Sequence, residues 1–337
     1  MASAPPRSAT SSFTIGTRRS KLALLQTDLV RSALKASFPE CDFDTHTRDA
    51  IADLDKTTPL SQFTSKNLWT EELEQLLIAK EIDLVVHSLK DVPTQIPDSC
   101  ILGAVMPRED PRDVLCIKKG LPNMTLAELP AGSVVGTSSI RRTAQLARHY
   151  PHLKVQDVRG NIETRLAKLD AEDGPFTAII LAAAGLLRTG LDDRIAHYLD
   201  SKNGKMLHAV GQGGLGIELR ADDERMRKMV EAIGDKRSTY ACLAERNLLR
   251  TLEGGCSAPL GVETEWVDDG AGEGKDVMRM RAIVTSVDGK EAVEIERDTE
   301  IRSNGEAEAF GKAVADEMVK MGAGKILEVI QQTKKVW

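Results

Sequence analysis

Aromatic side chains make up only 4% of the 337 residues, and positive charge has no surplus: 45 Lys and Arg face 51 Asp and Glu, a net charge of −6. Both shortages speak against a protein that stacks bases and neutralises phosphates over a broad surface. Any anion site must therefore be local and built from guanidinium forks. The five cysteines, Cys41, Cys100, Cys116, Cys242 and Cys256, are odd in number and widely spaced, with no CxxC pair. That pattern suits neither a disulfide framework nor a zinc site, and reads as a reduced, cytoplasmic thiol set. No apolar run approaches membrane-spanning length. Residues 1–12 are rich in Ala, Ser and Pro but lack the apolar core of a secretory signal. Arg7 without any acid would suit a transit peptide, but a strand begins by Phe13, so a disordered tail is the reading.

Strands alternate with helices over about residues 13–235. Phe13 to Gly16 reads as a strand, and Lys21 to Lys35 carries Leu22, Leu25, Leu29 and Ala33 at helical spacing. Thr45 to Ser65 is polar and reads as a long mobile loop, of the kind that often serves as a lid. Thr70 can cap a helix whose first turn holds Glu71, Glu72 and Glu74. Further strands are expected at Ile82 to Val86, Val114 to Ile117, Ser133 to Val135, Leu153 to Val155 and Ala178 to Leu181, with Asn161 capping a helix. The last hundred residues change character. A helix from about Arg237 to Leu252 precedes strands near Leu260 to Val267, Val277 to Val287 and Ala292 to Arg297, the last two joined by the hairpin signal Asp288-Gly289. A helix from Ala307 to Met321 closes a small α+β domain.

Arg141 and Arg142 fall in the first turn of a helix after the strand-turn sequence Val134-Val135-Gly136-Thr137-Ser138-Ser139, where cations oppose the helix dipole. Arg159 and Arg165 flank the next such turn. Both pairs lie beside free backbone N–H groups that favour anions. A solvated basic surface is the alternative, but the shared placement favours an anion-binding cleft. Ile15-Gly16-Thr17-Arg18-Arg19 echoes Val135 to Arg142, either by chance or as a second lobe aiming arginine at the same gap. In Asp83 to Pro93 an apolar strand emerges into His87, Ser88, Lys90 and Asp91, with Pro93 blocking helix continuation. Asp91 suits the stabilisation of a cationic intermediate and proton exchange; a turn aspartate beside a solvated lysine is the other reading. His87 reads as a packed or hydrogen-bonded strand-end residue rather than a base. Cys256 follows Gly254-Gly255, an exposed position for a thiol, though an inert cysteine fits as well. Gly211-Gln212-Gly213-Gly214-Leu215-Gly216 matches the dinucleotide fingerprint, but the residues after it alternate as a strand, so it reads as a crossing between lobes.

Gly16 to Ser20, His87 to Pro93, Arg108 to Asp113, Gly136 to Arg142, Arg159 to Asn161 with Thr164-Arg165, Ala209 to Gly213 and Glu253 to Cys256 occur in one order along the chain. Through these motifs the chain resembles the porphobilinogen deaminase family from about Phe13 to its end. The resemblance implies an α/β fold of two periplasmic-binding-protein-like (type II) lobes, each with a mixed sheet, plus the small α+β domain. The corresponding boundaries are 13–106 with 214–231, 112–207, and 236–337, with a lid at 47–67. It implies one dipyrromethane cofactor per chain, held by a thioether to Cys256, on which four porphobilinogen molecules are condensed with release of ammonia and then hydrolysed off as hydroxymethylbilane. Asp91 matches the family's catalytic carboxylate. Arg18, Ser20, Lys66, Lys90, Ser139, Arg141, Arg142, Arg159, Arg165 and Gln212 fall on positions that bind cofactor and substrate carboxylates. The implied protein is a cytoplasmic monomer with a small-molecule substrate, no metal, and neither nucleic acid nor membrane as partner. Ser65-Lys66-Asn67-Leu68-Trp69 and Thr47-Arg48-Asp49-Ala50 depart from the family's usual Gly-Lys-Gly-Leu-Phe and Thr-Arg-Gly-Asp.

Overall fold

The computed structural model describes residues 11–49, 70–252, 258–267 and 276–334. Lys66, Cys256, residues 1–10 of the tail and most of the expected lid lie outside the described residues. The first unit comprises β1 (Ser12–Arg18), α1 (Lys21–Ser37), β2 (Asp42–Arg48), α2 (Glu71–Ile78), β3 (Leu84–Ser88) and β4 (Cys100–Val105). The second comprises β5 (Asp113–Ile117), β6 (Val134–Gly136), α3 (Ile140–His149), β7 (Lys154–Gln156), α4 (Ile162–Asp170), β8 (Ala178–Ala182), α5 (Ala183–Thr189) and β9 (His197–Leu199). The chain then returns as β10 (Leu215–Arg220) and α6 (Glu224–Glu231).

Two five-stranded sheets result, ordered β2-β1-β3-β10-β4 and β7-β6-β8-β5-β9. In each, four strands run the same way and a strand arriving from the other unit is inserted antiparallel: β10 between β3 and β4, and β5 between β8 and β9. This exchange of one strand makes both sheets mixed, as expected from the resemblance, and places β1 and β6 at equivalent positions. The echo between their sequences is therefore an echo of place. Separate apolar cores underlie the two units, around Ile15, Leu84 and Ile217 in one and Val135, Leu146 and Ile180 in the other.

Two crossings join the units side by side, one over residues 106–112 and one over 209–214. Gly213 shows why glycine stands in the second. Its φ is +84°, and a Cβ there would come within 2.3 Å of the Glu109 carbonyl oxygen. The rejection of a dinucleotide turn holds, because β10 follows directly.

The third unit packs α7 (Lys236–Thr251), α8 (Asn304–Lys320) and α9 (Ala323–Lys334) against the antiparallel sheet β11 (Leu260–Val267), β12 (Val277–Thr285) and β13 (Ala292–Glu300). Asp288-Gly289 lies in the connection between β12 and β13, and this hairpin tip rests on the backbone of Ala147 and Arg148 in α3. Among the described residues no helix is long and apolar enough to cross a membrane.

Three expectations are corrected. Thr45 to Arg48 belongs to β2, not to a loop or lid. As the edge strand of its sheet it buries only Phe43, so its sequence carries little alternation. The Thr70 side chain makes no capping bond. The helix expected to end the chain at Met321 is followed by α9 across Gly322, whose φ is +107°.

Candidate functional site

The parallel strands of both sheets end toward one gap, and the chemistry-bearing residues occupy those ends. Arg18 is the last residue of β1, and Ser20 caps α1, its hydroxyl accepting from the Ala23 N–H at 3.3 Å. Beyond β3, Lys90 and Asp91 sit on a single 3₁₀ turn, Leu89–Asp91. Leu89 and Val92 anchor that turn in a small core with Val105 and Cys242, while Arg246 of α7 donates to the carbonyls of Val92 and Pro93 at 3.0 and 2.6 Å. The Asp91 carboxylate is thereby fixed from beneath by two units at once. It lies 3.8 Å from the Arg18 guanidinium and is about one-third exposed.

Across the gap, Ser139 caps α3 and Asn161 caps α4. Arg141 and Arg142 do not present open forks there, as the helix-start reading expects. They are 4% and 5% exposed and converge on the fully buried Asp113, with N–O distances of 2.7 and 2.6 Å. Arg141 also donates to the Leu207 carbonyl and Arg142 to that of Ile180, yet the Nε of each is buried without a hydrogen-bond partner. Burial alone would raise the Asp113 carboxyl, but the two guanidinium groups outweigh it and hold the group far below the usual carboxylate range. Gln212, 1% exposed, ties the two units together. Its amide nitrogen donates to Pro111 and Asp113, and its oxygen faces Lys90 at 3.5 Å.

Lys90 is half-buried, and that burial lowers its ammonium to about 8, with Arg142 and Arg141 adding to the effect and Asp91 and Asp113 opposing it. Arg165, which donates to the Gly160 carbonyl, is lowered to about 10 by burial and then by Arg142 and Arg159, against Asp91 and Asp157. Arg159 and Lys90 are thus drawn into the same field from opposite units. Arg18, Lys90, Arg141, Arg142, Arg159 and Arg165 outnumber the carboxylates Asp91, Asp113 and Asp157 among them. A cleft in which cations depress one another and outnumber the carboxylates fits a ligand carrying several carboxylates.

One consequence is measurable. As pH rises through about 8, Lys90 should discharge and the cleft lose a cation. The KM for a carboxylate substrate is expected to climb above that pH in the native chain and to stay level in Lys90→Met. For stability the sign runs the other way. The folded lysine sits below its ordinary 10.5, so between about 8 and 10.5 the unfolded chain holds more protons and stability rises with pH.

Sequence reasoning missed Asp113, and also the buried ion pair Arg108–Glu245, whose guanidinium makes two bonds of 2.7 and 2.9 Å to the carboxylate and so clamps the crossings to α7. It missed as well the pairing of His87 with Glu218 at 2.9 Å on β10, although a hydrogen-bonded His87 agrees with the sequence reading. Cys41, Cys100, Cys116 and Cys242 are all buried, as small apolar residues are.

Residues 13–228 match the family model described as "Porphobilinogen deaminase, dipyromethane cofactor binding domain", and residues 239–320 match "Porphobilinogen deaminase, C-terminal domain". Cys256 falls within the second match. The chain is 52% identical over 321 residues to a porphobilinogen deaminase of Yarrowia lipolytica, covering 94% of this chain and 92% of that one. It is 48% identical to one of Neurospora crassa, covering 94% of each, and 47% identical to one of Eremothecium gossypii, covering 94% of this chain and 96% of that one. Among solved structures, the methionine-binding protein MetQ aligns at 14% identity and a TM-score of 0.39, covering 70% of this chain and 95% of that one; the two-lobe reading rests on strand order, not on that score.

Proposed function

The chain belongs to the porphobilinogen deaminase family, and from that premise we propose the roles of its individual residues. The reaction is the head-to-tail condensation of four porphobilinogen molecules, with release of ammonia, followed by hydrolysis to hydroxymethylbilane in tetrapyrrole and heme biosynthesis. When bound, the dipyrromethane cofactor supplies the pyrrole end on which the first condensation takes place.

Cys256 is the residue that holds the cofactor through its sulfur, and Asp91 is the catalytic carboxylate. Arg18, Lys90, Arg159 and Arg165 bind acetate and propionate groups directly, as does Lys66; Ser20 and Ser139 orient the helix N-termini toward the same groups. Arg141 and Arg142 act mainly through their field, because Asp113 already occupies their forks, and Gln212 holds Lys90 in register with that buried pair. The domains follow the boundaries 13–106 with 214–231, 112–207 and 236–337, and the protein works as a cytoplasmic monomer. The single observation that carries this reading is the Asp91 carboxylate beside Arg18 at 3.8 Å, at the edge of a cation cluster assembled from both units. A carboxylate there can face a positive charge developing on a pyrrole methylene and move a proton, while the surrounding cations hold the acidic side groups of the substrate.

Intact mass under denaturing conditions tests it. The purified chain is expected to exceed its bare mass by two pyrrole units, and Cys256→Ser is expected to lose that excess together with activity. A bare-mass chain would instead indicate a non-catalytic anion binder with an inert Cys256.

A further inference from the structure

Arg18, His87, Ser88 and Asp91 help to line a crevice of about 10 Å³, room for about one water molecule with polar groups on several sides. The His87 ring is buried and its Nε2 lies 2.9 Å from Glu218 Oε2. Glu218 is 1% exposed, and its other carboxylate oxygen has no hydrogen-bond partner. A carboxyl group buried so incompletely satisfied is unfavourable unless an opposing charge can form against it, and the imidazole is the group in position to supply one. The other groups around His87 come from every neighbouring element. Arg18 from β1 and Asp91 from the 3₁₀ turn share the crevice, Glu74 of α2 lies in the field of His87 and Glu218, and Cys100 of β4 lies beside Glu218. Burial, with Glu218 adding to it, pushes the Glu74 carboxyl up, against the opposing pull of Thr70 and His87.

We propose that His87, backed by Glu218, stores the proton that Asp91 collects, and that one water in the crevice links the two. The inference rests on the role given to Asp91 above. In each condensation the C–N bond of a protonated aminomethyl group breaks, a C–C bond forms to a ring carbon, and that carbon gives up its hydrogen as a proton while the C–H electrons restore the aromatic ring. Asp91 takes the proton, and the water hands one on to His87, making an imidazolium opposite Glu218. Return along the same path protonates the departing ammonia, so that charge and atoms balance with ammonium as the by-product. Asp91 is thereby emptied before the next addition. His87 acts through Asp91 and is a positioning and proton-storing residue.

The chain has 6 histidines, so the ring resonances of His87 can be followed by NMR in the holoenzyme. Asp91→Asn removes a negative charge one water away and is expected to lower the titration midpoint of His87 by about half a pH unit; Glu218→Gln should lower it further. An unmoved midpoint in Asp91→Asn overturns the coupling. His87→Gln still donates to Glu218 but cannot take up a proton. It is expected to lower kcat for single additions of porphobilinogen about 10- to 100-fold, below the range for a group acting directly, with KM unchanged and the low-pH limb of the rate profile lost. A folded His87→Gln with native kcat and profile also overturns the proposal, and if that variant does not fold, the NMR titration decides. Should Asp91→Asn retain native turnover, the role of Asp91 fails. Should it be inactive while His87 titrates unchanged, only the relay fails.

Discussion

Asp91→Asn is expected to fold and melt as the native chain does and to turn over about a thousandfold more slowly. The side chain is about one-third exposed and lies 3.8 Å from the Arg18 guanidinium, and although it also supports the Lys90 ammonium, Asp113 remains as a second counter-charge for that lysine. The turn that bears it is held by Leu89, Val92 and Arg246, none of which changes. What is lost is the one carboxylate that can both face a developing cation and exchange a proton. KM should change little, because losing an anion from the cleft is offset by the weaker support left for the Lys90 ammonium. Following hydroxymethylbilane formation beside a thermal melt separates the two effects; near-native kcat would remove Asp91 from the chemistry.

Asp113→Asn is expected to act in the opposite manner, through the fold. Asp113 is fully buried and accepts from Arg141, Arg142 and Gln212 at 2.7, 2.6 and 2.9 Å. An asparagine there would leave two guanidinium groups buried without a counter-charge and turn an amide N–H toward one of them. Breaking a buried pair from one side typically destabilises by about 3–5 kcal/mol, which a denaturant midpoint would register directly. Activity should fall too, because Gln212 and Lys90 are aligned on the same carboxylate. Converting Arg141 and Arg142 to methionine in the Asp113→Asn background is expected to restore much of the stability and none of the activity, since only the field is then missing. The pH dependence has a definite sign. The folded carboxyl is held well below its ordinary value, so its contribution is complete at neutral pH and fades as pH falls beneath about 3.9. The native chain should lose stability in that acid range, and Asp113→Asn should lack that component. Equal stability of the two proteins at pH 7 would refute the account.

The contrast between these residues shows what was legible in the chain. Asp91 stands out as a candidate because its signal is local: an apolar strand, an abrupt polar turn, and Pro93 to stop the helix all fall within a few residues. The strands β1, β3, β5 and β8 were equally visible, since burial on the sheet interior demands apolar runs. β2 was hidden because an edge strand needs only one buried side chain, and the last helix because the break at Gly322 was not anticipated. The motif containing Asp113 could be recognised, but not its role. Its partners stand 28 and 29 residues away, and Glu245 stands 137 residues from Arg108.

By itself, then, the sequence determined the family, the alternation of strands and helices, the turns that carry charge and the residues available for chemistry, because local backbone preference and apolar period are written in neighbouring positions. Only the tertiary structure decided which of those charges remain available to a ligand. Whether a guanidinium is an open fork or half of a buried pair depends on what the fold brings opposite it, and Coulomb energy and desolvation follow distance in space, not separation along the chain.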